Sequence, residues 1–123
     1  MDTPKIFDSE LELCEILWQH QPVKSSELVR LCADQLGWKK STTYTVIKRL
    51  TDRGVVKTED ATVTALVGRE DVQRAESRAF VQRNFSGSLP GFLNAFVGGK
   101  GLTAAEADEL RRMIDKFEEE HHG

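Results

Sequence analysis

Trp38-Lys39-Lys40-Ser41-Thr42-Thr43-Tyr44-Thr45-Val46-Ile47-Lys48-Arg49-Leu50-Thr51-Asp52-Arg53-Gly54 is the stretch whose reading decides the fold. Thr43, Val46, Ile47 and Leu50 recur at i, i+3, i+4 and i+7, the spacing of one buried stripe on a helix. The opposite side carries Ser41, Thr42, Thr45, Lys48, Arg49 and Asp52, a row of hydroxyls and cations of the kind that contacts phosphate oxygens and base edges. Gly54 supplies a left-handed stop. The spacing therefore predicts a helix over 38–53 with separate core and reading faces. Its candidate DNA-contacting residues are Lys39, Lys40, Ser41, Thr42, Tyr44, Thr45, Lys48 and Arg49, joined by Lys57 just beyond.

The charge pattern agrees. The chain is mildly acidic, with net charge −3, yet positions 38–57 hold six cations (Lys39, Lys40, Lys48, Arg49, Arg53 and Lys57) against Asp52 alone. Counterion release depends on cations within reach of the phosphates and hardly on total charge, so an acidic chain with a local basic patch remains compatible with DNA. A solvated surface helix would show the same charges, and the flanking elements must decide.

Those elements have the order of a winged helix-turn-helix. Ser9 to His20 is rich in apolar residues (Leu11, Leu13, Cys14, Ile16, Leu17 and Trp18), with a narrow polar strip of Glu12, Glu15 and Gln19; Gln21-Pro22 ends it. Ser25 is the expected cap of a second helix whose inner face is Leu28, Leu31, Cys32 and Leu36, broken by Gly37. After Gly54 the period turns strand-like: Val55 to Glu59, a break at Asp60-Ala61, then Thr62 to Val67. Three helices and a short two-stranded wing make the expected DNA-binding domain, residues 1–68.

The remainder, 69–123, is expected to be helical. Val72, Ala75 and Ala79 mark a connecting helix that Ser86-Gly87-Ser88 interrupts. Leu89, Phe92, Leu93 and Phe96 repeat at helical spacing before Gly98-Gly99-Lys100-Gly101. Thr103 and Glu106 form a capping box for a last helix with the stripe Ala107, Leu110, Met113, Ile114 and Phe117. Such amphipathic helices have too little chain around them to bury their own faces, so Leu89, Phe92, Leu93, Phe96, Leu110, Met113, Ile114 and Phe117 are read as a homodimer seam. Packing back onto the first domain is the competing reading.

With 39% hydrophobic and 30% charged residues the composition is that of a globular protein, and the order of elements makes the fold mainly α. No apolar run reaches the roughly 18 to 20 residues of a membrane span. Met1-Asp2-Thr3-Pro4-Lys5 lacks a basic region leading into an apolar core, so the cytoplasm is the expected location. Cys14 and Cys32 sit at apolar helix positions without a paired motif and read as buried thiols. His20 closes the first helix and His121-His122 lie in the tail, so neither metal nor cofactor is expected. No nucleophile elbow, phosphate loop or acid/base constellation suggests an enzyme.

Over nearly its whole length the chain resembles the penicillinase and methicillin-resistance repressors of the BlaI/MecI/CopY type. Three motifs carry the likeness. They are Glu10-Leu11-Glu12-Leu13 running to Leu17-Trp18; Trp38 with Thr42, Thr45, Arg49-Leu50 and Arg53-Gly54; and Ser77-Arg78-Ala79-Phe80 through Asn84-Phe85-Ser86-Gly87-Ser88, followed by Phe96, Leu102-Thr103, Glu106 and Glu109-Leu110. The resemblance implies a homodimeric repressor on a dyad DNA operator, with one recognition helix per subunit in the major groove and interlocked C-terminal helices. It also implies release in some members by a sensor-controlled protease and in others by copper. The chain departs from both: no cysteine follows Cys32, and Ala95-Phe96 stands where the cleaved Asn-Phe pair would lie, with Asn94 one position early. The wing is shorter than the family's and its tip, Glu59-Asp60, is acidic. Two other classes stay open at this point: a winged-helix protein-interaction module, favoured by the acidic wing, and a ligand-sensing regulator of the multiple-antibiotic-resistance type, hinted at by Phe92, Phe96 and Phe117.

Overall fold

The computed structural model describes residues 3–121; His122 of the terminal histidine pair lies outside them. The chain divides into two compact units that meet between Ala79 and Phe80.

The first unit opens with α1 (Asp8–His20). Its third residue, Glu10, turns back so that a carboxylate oxygen accepts the Phe7 backbone N–H at 3.0 Å, satisfying a donor that the helix itself leaves free. β1 (Val23–Lys24) follows, then α2 (Ser25–Leu36). The cap of α2 is Lys24, not Ser25: Ser25 is the first helical residue, and its N–H donates to the Ala61 carbonyl at 2.8 Å across the sheet. Gly37 (φ 70°) closes α2, its N–H returning to the Ala33 carbonyl while that of Trp38 reaches the Cys32 carbonyl. This left-handed closure leads in three residues into α3 (Lys40–Asp52).

β2 (Val56–Glu59) and β3 (Thr62–Ala65) form an antiparallel hairpin in which Glu59 faces Thr62. The sheet has three strands in the order β1-β3-β2, because Val23 pairs with Val63 and Lys24 with Thr62. A two-residue strand is too short for any alternation to show in sequence. Asp60 (φ 50°) and Ala61 (φ 59°) make the two-residue turn, both left-handed, which matches the twist of the strands they join.

Leu13, Leu17, Leu28, Leu50, Val55, Val56 and Val63 are almost wholly buried where α1, α2, α3 and the sheet meet. Each such side chain contributes roughly 1.5–3 kcal/mol of transfer free energy. Cys14 and Cys32 are free and buried among them. Burial, helped by the negative charges of Glu10 and Glu15, pushes the Cys14 thiol from 9.0 up to about 12. Burial likewise raises Cys32, against a hydrogen bond with Thr43.

α4 (Arg69–Phe85) begins in this unit. Trp18 donates from Nε1 to the Val67 carbonyl at 2.9 Å, Arg69 lies over the Trp18 ring and pairs with Glu15, and Val72 is buried. Arg69 and Val72 thus pack with this unit beyond Gly68, where the order of helices and strands placed the end of the first domain.

In the second unit the rings of Phe80, Phe85, Phe92 and Phe96 form a ladder with centroids 5.6–6.1 Å apart. Ser88 caps α5 (Leu89–Val97) by accepting the Gly91 N–H at 2.9 Å. Thr103 and Glu106 cap α6 (Ala104–His121) reciprocally, at 3.0 and 3.1 Å. No residue of α5 or α6 among those described is buried.

Candidate nucleic-acid interface

Helix α3 sorts its side chains by solvent access. Thr43, Val46, Ile47 and Leu50 are 0–6% exposed, whereas Ser41, Thr42, Tyr44, Thr45, Lys48 and Arg49 are all exposed. The buried stripe locks the roll of the helix, and the roll decides which side chains face outward. Thr43 shows how sharply: its hydroxyl is turned inward toward the Lys39 carbonyl, 3.4 Å away, while Thr42 and Thr45 on either side of it face solvent.

The start of α3 is built against its own stability. Lys39 is the cap and Lys40 the first helical residue, no side chain caps the free backbone N–H groups, and the first turn holds no acid. Cations at the positive end of a helix dipole are unfavourable on their own, and become favourable when an anion sits there. Tyr44 lies one turn along, with the Lys40 ammonium 6.0 Å from its ring centre.

The other cations of the patch are not equivalent. Lys48 pairs with Asp52 at 3.2 Å and Lys57 with Glu59 at 3.6 Å, both in solvent, where such pairs hold weakly and exchange readily. Arg53 leaves the patch altogether. It pairs with Glu10, which is 2% exposed, so a residue counted among the basic cluster in sequence turns inward in the fold. Lys24 is a cation that the sequence reading missed: it lies beside the wing turn, its ammonium 3.3 Å from the Asp60 carbonyl oxygen. Only the pairing of β1 with β3 brings it there, so no local signal marks it. On α2, Arg30 is occupied by Glu27 and Asp34, and its hydrogen bond holds the Glu27 carboxyl below the usual range.

The wing is short and fastened. Lys24 and Ser25 bond to the turn residues themselves, so the hairpin ends level with the start of α2. Glu59 and Asp60 are exposed there.

In the second unit, Leu89, Phe96, Met113, Ile114 and Phe117 are 44–64% exposed. Phe92, Leu93 and Leu110 are half-buried and line, with Phe96 and Met113, a groove of about 360 Å³. No helix among the described residues is long and apolar enough to cross a membrane.

Comparison with known proteins gives these features a context. The penicillinase repressor of Bacillus licheniformis is 23% identical over 92% of this chain and 91% of its own length. The methicillin resistance regulatory protein MecI of Staphylococcus aureus (strain N315) is 25% identical, over 93% and 96%. Among solved structures, the B. licheniformis BlaI monomeric form in complex with the blaP half-operator superposes with a TM-score of 0.51 at 25% identity, covering 58% of this chain and 93% of that one. The family model described as penicillinase repressor matches residues 6–116, and the chain belongs to that family.

Proposed function

We propose that this chain is a DNA-binding transcriptional repressor that reads a dyad operator through α3. The observation that carries the reading is the division of α3 into a buried stripe and a wholly polar outer side, with two cations at an uncapped N-terminus. Acids stabilise a helix N-terminus by roughly 0.3–1 kcal/mol each, and the first turn of α3 holds none. Lys39, Lys40, Ser41, Thr42, Tyr44, Thr45, Lys48, Arg49 and Lys57 are the proposed contacts. Of these, Lys39, Lys40 and Arg49 have no acidic partner among the described residues, while Lys48 and Lys57 must exchange theirs for phosphate. The solved relative in complex with a half-operator supports the same use of the fold.

In this reading residues 1–68 bind DNA and 69–123 hold two copies together through Leu89, Phe92, Leu93, Phe96, Leu110, Met113, Ile114 and Phe117. The exposure of Leu89, Phe96, Met113, Ile114 and Phe117 supports it: a stripe of large apolar side chains in water is unfavourable until a partner covers it. A controlling protease would meet Ala95-Phe96 in the last turn of α5, with Phe96 exposed and the glycine-rich exit at Gly98 directly behind.

The test is selection of duplexes from a random pool by the full-length protein, followed by light scattering of the free protein and of its complex. A selected dyad sequence bound by a protein of twice the chain mass is the expected result. Failure to enrich any sequence would refute the reading.

A further inference from the structure

Glu10 and Arg53 form a pair that the DNA-facing side of α3 does not use. The Glu10 Oε1 accepts both the Phe7 N–H, at 3.0 Å, and an N–H of the Arg53 guanidinium. That guanidinium lies 5.3 Å from the centre of the Phe7 ring, and its Nε is buried with no hydrogen-bond partner. Glu10 is 2% exposed, so at this end the pair is a charge withdrawn from water.

As a device for stability this is a poor one. Desolvation offsets most of the attraction, the orphaned Nε adds a cost, and replacing both ends of such a pair by apolar side chains of similar volume is often neutral or stabilising. Direction is what an ion pair supplies and a Leu–Val contact does not, because donor and acceptor must meet along a fixed axis. Its placement suits that use. The apolar stripe of α3 ends at Leu50, and Arg53 follows three residues later at the helix C-cap, where it is tied to the first turn of α1. One end of the recognition helix is thereby referenced to an element distant in sequence.

We infer that Glu10 and Arg53 are positioning residues that set the attitude of α3 toward the duplex, Arg53 serving in that role and not as a phosphate contact. The inference rests on the DNA-binding reading above.

The experiment compares full-length wild type with the double variant Glu10→Gln/Arg53→Met, in which an amide oxygen at position 10 still accepts the Phe7 N–H while the ion pair is gone. Each is titrated against a duplex selected by the wild type from a random pool and against a scrambled duplex of the same composition, at several salt concentrations, with melting curves alongside. The double variant should melt within about 3 °C of wild type. Its affinity for the selected duplex should fall about tenfold or more, the size of a lost base contact, with the scrambled duplex and the salt slope unchanged. Retained preference for the selected duplex would overturn the inference, as would a salt slope flattened by about one per protomer, which would make Arg53 a phosphate contact. A double variant that does not fold would also overturn it, by making the pair a stability element. Wild type that selects no duplex would instead sink the DNA-binding reading itself, and this inference with it.

Discussion

Replacing Lys39 and Lys40 together by Ala tests the electrostatics of the interface most directly. Both side chains are exposed and stand at the N-terminus of α3, where no acid shares the first turn. Their removal should leave the fold intact, because neither belongs to the core, and should relieve repulsion at the helix end. The effect on DNA is large. Each phosphate contact contributes about 0.9 to the slope of log affinity against log salt, so two lysines in each protomer of the proposed dimer should flatten the slope by about 3.6. At about 0.1 M salt the same four contacts amount to roughly three to four decades of affinity. Arg49→Ala should behave differently if its guanidinium meets a guanine edge: a loss of selectivity corresponding to about 1–3 kcal/mol per site, with a smaller change in slope. Fluorescence anisotropy with a labelled duplex between 50 and 200 mM salt measures both quantities. A double lysine variant whose slope differs from wild type by less than about 1 would refute the placement of the α3 N-terminus at the phosphates.

Thr43→Asp should destabilise the first unit by about 3 kcal/mol or more by burying a carboxylate at a fully enclosed site, whereas Thr45→Asp should abolish DNA binding with little change in melting temperature. Melting curves and gel shifts on the two variants give the comparison, and the reverse pattern would mean that α3 is rolled the other way. Ala61→Gly should stabilise the chain by about 0.5–1 kcal/mol, since Ala61 holds φ 59° and glycine adopts that conformation without a Cβ clash; urea unfolding reads it, and a loss of stability would contradict the turn geometry. Leu110→Asp should give a monomer by light scattering with intact helical signal, because a charge in an apolar seam is desolvated without a partner; a dimer of wild-type affinity would favour packing of the second half elsewhere. For Cys14, whose thiol is raised from 9.0 to about 12, the folded state prefers the protonated form. Stability should therefore be level below about pH 9 and fall between pH 9 and 12, a fall absent in Cys14→Ala, and disulfide reagents at pH 8 should modify the thiol only after unfolding.

The parts of this fold that sequence reveals are those set by local periodicity. Val46, Ile47 and Leu50 announce their burial through spacing alone, and Thr103 with Glu106 announces a cap that forms as expected. Contacts between distant segments stay hidden. Arg53 looks like one more cation of a basic cluster because its partner Glu10 lies 43 positions away. Ser25 resembles a cap, yet the strand pairing of Lys24 shifts the boundary by one residue. In the second unit the apolar stripes are legible as patterns, but nothing local distinguishes a face that meets another copy from one that meets the same chain.

The two-residue turn at Asp60-Ala61 also bears on how relatives of this chain could diverge. Both residues are exposed, and the packing of the hairpin rests on Val56 and Val63 behind them. Residues inserted between the two would project into solvent without altering a core side chain, and each doubling of a flexible loop costs only about 0.6 kcal/mol of closure entropy. Hairpin reach is thus a parameter that insertion and deletion can tune without touching the core, at the expense only of the bonds from Lys24 and Ser25 to the present turn, so lineages built on one scaffold can lengthen or shorten the wing in a single step.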